Sequence, residues 1–218
     1  LAIQFIEKYN HFYIDQIPDP TVAAAKSTIE KYIRRHGVQY IFYDYIFGSP
    51  GVNTEFRSGV REDVVLMYLS NTLKEIATVN DVYIMSSTQL NGSWMEAKVR
   101  NQNLIRGSKA ISDKVDVGMV TVDIQEEELL KVQPICDELG LPYPTTVSDV
   151  YKNRGGRYTS IKIFRQFDKG TCRMRDLFIT SEFHELIDLD YTYQEEVEYY
   201  SMEKAKEVLI DEFDGPQR

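Results

Sequence analysis

The sequence predicts an α/β domain, with a mainly parallel sheet flanked by helices and an antiparallel hairpin along its C-terminal edge. Three observations carry this expectation. Short apolar runs alternate with amphipathic segments as far as residue 139, which is the order of successive βα units. The run Gln39–Phe47 is apolar or aromatic at almost every position, as in a parallel strand buried on both faces. Beyond Pro142 and Pro144 the pattern changes to consecutive strands, the last two joined by Asp168-Lys169-Gly170.

The elements follow in order. Residues 1–9 read as a helix, with Ile3, Phe5, Ile6 and Tyr9 along it, and the sequence begins inside that helix at Leu1. This predicts a piece of a longer protein. Phe12–Asp15 reads as a short strand, broken by Pro18 and Pro20. Thr21 is placed to cap a helix in which Val22, Ala25, Ile29 and Ile33 recur at helical spacing. That helix closes on Arg34-Arg35-His36-Gly37, with cations against the negative end of the helix dipole and a glycine able to turn left-handed.

Residues 39–44 form the next strand, followed by a Gly/Ser/Pro/Asn loop over 48–59. Val65, Leu69, Leu73 and Ile76 mark a long helix ending near Asn80. Val82–Ser86 and Val117–Val122 are strands, and residues 126–139 are helical. Val147–Lys152, Ser160–Phe167 and Cys172–Ile179 complete the sheet. The chain divides into a body, residues 1–180, and an acidic extension, residues 181–218, whose one helical patch spans Met202–Phe213.

Charge separates the two parts. The net charge is −9, yet residues 181–214 carry twelve acidic and two basic side chains, so with Arg218 the body comes to zero. The acidity argues against a general nucleic-acid binder but leaves the body free to carry a local basic face. No apolar run approaches the ~18 residues a membrane helix needs. The two cysteines, Cys136 and Cys172, lack any metal-ligand spacing and fit a reducing, cytoplasmic setting.

Asp44 is the odd residue in the apolar run. A buried carboxylate without a partner costs several kcal/mol. Either Asp44 lies just past a core strand and faces a polar site, or the strand assignment fails. Ligands in open α/β sheets gather at the carboxyl ends of strands, where Asp44 and Thr88-Gln89 fall, with Asp116 just before the third strand. A carboxylate there can hold a magnesium shell, and it can equally cap a turn. The phosphate-binding pattern G-x-x-x-x-G-K-[ST] is absent, since no Gly-Lys dipeptide occurs in the chain. Residue chemistry alone therefore gives half of a nucleotide site.

The order of the segments resembles the C-terminal motor domain of DnaB-type replicative DNA helicases, from a point downstream of that family's P-loop. FYIDQIPDPTVAAAKSTIEKYIRRHG is similar to the family's strand, "ID..P" and helix, and QYIFYDYIF to its Walker B strand. VYIMSSTQLNG is similar to its "ALSQLNR" strand, and LIRGSKAISDKVDVGMV to its "LRESGAIEQDADVV" loop. DVYKNRGGRYTSIKIFRQFDKGTCRMRDL is similar to its "AKNRNGPTG" and closing hairpin. The matches run in family order over residues 12–179.

The resemblance implies a RecA-like core in an ATP-dependent helicase that translocates on single-stranded DNA as a hexameric ring, with primase and a helicase loader as partners. Asp44 would be the Walker B aspartate, ordering Mg²⁺ beside ATP. Gln89 would couple nucleotide state to the DNA-facing loops. Lys152 and Arg154 would carry charge to the neighbouring subunit's γ-phosphate, where a planar guanidinium matches the equatorial oxygens of the transition state. Arg106, Gly107 and Lys109 would lie on the loop that tracks single-stranded DNA through backbone amides and cations. Lys98 and Arg100 add charge to that loop or belong to a solvated helix face.

Gly107, Lys109 and Ser112 depart from the family's glutamate, small residue and second glutamate, which makes the loop more basic. Phe47 replaces the usual glutamine. The family's general-base glutamate corresponds to no residue of this chain, so no catalytic base is assigned. These departures suggest a phage- or mobile-element-type relative. Two other functions remain compatible with the residues: another RecA-family ATPase such as a recombinase, and a non-catalytic ring or loader-interaction module.

Overall fold

The computed structural model of the protein describes residues 11–48, 51, 61–95, 97, 99–105, 109–156 and 158–188. The helix expected at residues 1–9, most of the loop expected at 48–59 and the tail beyond 188 lie outside them. The chain is α/β, and it divides into two compact units, Leu1–Val120 with Tyr151–Arg157, and Thr121–Val150 with Tyr158–Arg218. In chain order the elements are α1 (Val22–His36), β1 (Tyr40–Tyr43), α2 (Glu62–Asn80), β2 (Tyr83–Ser86), α3 (Lys109–Lys114), β3 (Val117–Asp123), α4 (Glu126–Leu139), β4 (Thr146–Asn153), β5 (Ile161–Asp168), β6 (Arg173–Ser181) and β7 (Leu186–Ile187). Among the described residues no helix is long and apolar enough to cross a membrane.

In the first unit, α1 begins and ends where the sequence places it. The Thr21 hydroxyl accepts the Ala24 N–H at 3.0 Å, satisfying one of the free amides of the first turn. Gly37 closes the helix in the left-handed conformation (φ 64°), donating to the Ile33 carbonyl. β1 pairs in parallel with β2, Tyr40 opposite Tyr83 through Tyr43 opposite Ser86. Beneath them Val22, Ile29, Ile46, Val65, Leu66, Leu69, Leu73, Ile76 and Ile111 form one buried cluster, against which Ile41, Tyr43 and Ile84 pack.

Two expectations for this region change. β1 is packed on one face only among the described residues: Tyr40 and Phe42 are each 70% exposed, while Ile41 and Tyr43 point into the core. Successive strand residues face opposite sides, and the described helices α1 and α2 contribute to the core on one side alone. The strand expected at Phe12–Asp15 is not formed; these residues have no ladder partner, and Ile14 is 80% exposed. Propensity without a neighbouring edge does not make a strand.

The second sheet has the strand order β3-β4-β5-β6-β7, and β4 to β7 are antiparallel to their neighbours. The antiparallel part therefore extends beyond a closing hairpin, and β7 carries the sheet past residue 180. The β5–β6 hairpin forms as expected. Asp168 fixes its turn by accepting from the Thr171 hydroxyl at 2.7 Å and the Gly170 N–H at 2.9 Å, and these bonds hold its carboxyl below the usual carboxylate range. Phe164, fully buried, stacks on Phe178 with ring centroids 5.0 Å apart. On α4, Glu128, Val132 and Cys136 repeat at i, i+4, i+8 and form its buried face.

That face carries charge inward. Lys162 on β5 reaches Glu128 at 3.1 Å and also contacts Asp149 on β4, with all three side chains nearly buried. His184, in the β6–β7 turn, brings its Nε2 within 3.5 Å of Glu128 Oε1, but too poorly aligned for a hydrogen bond. Burial, helped by the Lys162 cation and further by Lys131 on α4, depresses the His184 pKa against the opposing pull of Glu128. The folded protein thus favours neutral His184. Stability from this residue is fully present above the ordinary histidine pKa, about 6.5, and is lost as pH falls through the lower folded value. Urea denaturation at pH 7.5 and 5.0 is expected to show a smaller acid loss of stability for His184→Gln than for the unaltered chain. Equal losses would remove His184 from the acid response.

Candidate functional site

The parallel pairing of β1 and β2 continues beyond the ladder. Ile46 N–H donates to the Ser87 carbonyl at 2.9 Å, the Ser86 hydroxyl to the Tyr43 carbonyl at 2.6 Å, and the Thr88 hydroxyl to the Ile46 carbonyl at 3.1 Å. Ile46 is itself buried, so the segment after β1 is pinned from both directions. Asp44 therefore stands just past the strand, exposed, and its peptide to Tyr45 is cis. It lines a cleft of about 1030 Å³ together with Asp15, Asp19, Tyr32 and His36. Asp15 accepts the Tyr32 hydroxyl and Asp19 the Gly51 N–H. No hydrogen bond or ion pair engages the Asp44 carboxylate among the described residues.

Gln89 follows β2 and is exposed. The next residue, Leu90, bridges antiparallel to Ile105, and the Asn91 N–H donates to the Leu104 carbonyl at 2.8 Å. The segment after β2 is thereby tied to the one that leads into Arg106 and Gly107. Those two residues and Lys98 lie outside the described residues, and Lys109 opens α3. Trp94 sits half-buried in a 3₁₀ turn over Gly92–Met95, in keeping with packing.

Lys152 and Arg154 come together at the end of β4. The Lys152 ammonium donates to the Ser112 carbonyl at 2.7 Å and the Asp113 carbonyl at 3.0 Å, in the last turn of α3. A cation there offsets the unpaired carbonyls and the negative end of the helix. The Arg154 N–H donates to the Asp116 carbonyl at 2.8 Å, and its guanidinium lies 3.5 Å from Asp116 Oδ1. The other oxygen of Asp116 is held by Lys74 at 2.5 Å.

The sequence alone did not pair these groups. Lys74 belongs to the solvent side of α2, and nothing in its neighbourhood announces Asp116, 42 positions away. Asp44 and Gln89 share one strand-end, on β1 and β2; Lys152 and Arg154 share another, beside β3.

Among the described residues no group of three or more His, Cys, Asp or Glu could hold a metal ion. One exposed carboxylate still suits Mg²⁺, which keeps several waters and takes few protein ligands beside phosphate oxygens. The donors present thus fit the metal and sensor half of a nucleotide site. They do not supply a phosphate cradle.

Comparison with known proteins agrees in fold. No family model matches the sequence. The structure resembles a solved ATPase domain of a DnaB-like replicative helicase (TM-score 0.60, 15% identity, 81% of this chain and 58% of that one). It also resembles a DnaB-like replicative helicase solved for its interactions with primase (TM-score 0.56, 17% identity, 77% of this chain and 37% of that one). The fold is that of the RecA-like motor domain of DnaB-type helicases. A curated relative, the SPbeta prophage-derived uncharacterized protein YorI of Bacillus subtilis strain 168, is 37% identical over 189 residues, 83% of this chain. This chain spans 38% of that relative's length.

Within the DnaB-type fold, the approach of β3 to β4 brings Asp116 beside Arg154, and a glycine permits it. A Cβ at Gly118 would lie 2.4 Å from the Tyr151 ring. Gly118→Ala is expected to lower stability by about 1–3 kcal/mol, the range for overpacking, measured by urea denaturation. Adding Tyr151→Ala is expected to relieve the clash, so that the two losses are less than additive. Full stability of Gly118→Ala alone would contradict the close approach.

Proposed function

We propose that this chain supplies the metal-ordering, sensing and trans-acting parts of an ATP-dependent replicative DNA helicase motor, whose phosphate cradle lies in sequence beyond these residues. The observation that carries it is the placement of Asp44 and Gln89 at adjoining ends of a parallel strand pair, within a fold shared with DnaB-type motors. The prophage origin of the curated relative supports a phage- or mobile-element-type helicase.

In this proposal Asp44 orients the waters of a Mg²⁺ ion, which when bound would neutralise phosphate charge. Gln89 senses the nucleotide and passes its state, through the Leu90–Ile105 bridge, to the loop of Arg106, Gly107 and Lys109. That loop grips the backbone of single-stranded DNA without reading its sequence. Lys152 and Arg154 project to a neighbouring subunit in a hexameric ring and stabilise charge on the phosphoryl group being transferred. The ring works in the cytoplasm, with primase and a helicase loader as partners.

The alternative of a non-catalytic ring or loader-interaction module has one point in its favour: both Lys152 and Arg154 are engaged within their own chain. Subunit mixing separates the two. In the whole protein, Arg154→Ala is expected to leave nucleotide binding and ring assembly intact and to cut DNA-stimulated ATPase by roughly 10³-fold, as for a trans-acting arginine. Rings mixing Arg154→Ala subunits with subunits lacking a working P-loop should regain ATPase activity absent from either variant. Mixed rings, confirmed by mass, that stay inactive at every ratio would contradict the trans role.

A further inference from the structure

Lys152 and Arg154 are neighbours on β4, but their engagements differ in kind. Lys152 is seated on two carbonyls at 2.7 and 3.0 Å. Arg154 holds a single carboxylate oxygen at 3.5 Å, and its side chain is 57% exposed. The carboxylate is Asp116, whose second oxygen belongs to Lys74 at the much shorter distance of 2.5 Å. Asp116 is thus shared between a tight cation and a loose one. A separate bond, from the Arg154 N–H to the Asp116 carbonyl at 2.8 Å, fixes the arginine's backbone whatever its side chain does. The guanidinium can leave without the strand moving.

We propose that Asp116 is a positioning residue: it is the resting acceptor of Arg154, and an arriving phosphate must displace it. The proposal rests on Arg154 meeting a phosphate, as described above, and it adds what the side chain does before that meeting. A phosphate offers a guanidinium two parallel, charge-assisted bonds, against the single long one that Asp116 gives. An exposed ion pair is also weak and screened by salt, which suits a contact that must exchange. Lys74 strengthens the exchange by occupying the carboxylate when Arg154 departs, so that Asp116 is not left without a counter-charge.

Asp116 therefore competes with phosphate, and removing its charge should favour anion binding through Arg154. The test uses this chain and inorganic tripolyphosphate, with amide and arginine Nε–H shifts followed by NMR at 150 mM salt. Asp116→Asn is expected to tighten binding by roughly three- to fivefold, the change corresponding to a surface ion pair at the upper end of its usual range. Asp116→Glu, which keeps the charge, should remain near the unaltered chain. Asp113→Asn removes a nearby exposed charge that does not hold Arg154, and should change affinity by less than about twofold. Adding Arg154→Ala to Asp116→Asn should abolish the gain.

A gain in Asp116→Asn matched by Asp113→Asn, or surviving the loss of Arg154, would show a general charge effect and overturn the latch alone. Arg154→Ala with unchanged affinity in the otherwise unaltered chain would overturn the latch together with the phosphate role on which it rests.

Discussion

The candidate site depends on a short parallel strand pair. β1 and β2 are joined over four residue pairs, and three further hydrogen bonds carry the pairing past the ladder to Ile46 and Thr88. Without those bonds the chain after β1 would be free to place Asp44 anywhere along the edge. With them, an exposed carboxylate and an exposed glutamine stand at the same end of one sheet, supported on a core of Ile, Val and Leu from α1 and α2. The apolar run that surrounds Asp44 in the sequence is what makes this possible. Ile46 buries itself just after the aspartate, so a polar residue sits between two anchors without being buried.

The charges fall into two physical classes. Lys162, Glu128 and Asp149 are nearly buried and mutually satisfied, with neutral His184 beside them. Breaking such a set leaves an uncompensated buried charge, so it fixes one arrangement of α4, β4 and β5. Lys74, Asp116 and Arg154 are exposed by a third or more, and their distances are uneven. Exposed pairs contribute little to stability, and that same weakness lets a cation change partners. The residues assigned to phosphate belong to the second class, as a group that must move between two anions requires.

Local chemistry was legible in the sequence wherever a residue's own neighbours decide its conformation. The Thr21 cap, the left-handed Gly37 and the Asp168-Lys169-Gly170 turn all follow from contacts within four positions, and all are present. The order of strands and helices was legible too, because apolar period is a property of each segment. Burial on both faces of β1 was not, since exposure of Phe42 depends on which layers stand opposite. Phe12–Asp15 failed as a strand for the same reason. Nor could the sequence pair Lys74 with Asp116 or Lys162 with Glu128, because those contacts join residues 42 and 34 positions apart. Asp44, Gln89, Lys152 and Arg154 were found through motif order, while the acceptors that hold Lys152 and Arg154 emerged only from the fold.

The central claim is that these 218 residues hold one half of a nucleotide site, with a metal-ordering carboxylate and phosphate-seeking cations but no cradle of backbone amides for the phosphates. Calorimetric titration of this chain alone with ATP and Mg²⁺ tests it most directly. The account predicts no binding in the micromolar range, since the lysine and amides that hold the β- and γ-phosphates are absent. Micromolar affinity would contradict it, because a complete phosphate site would then have to lie within the chain.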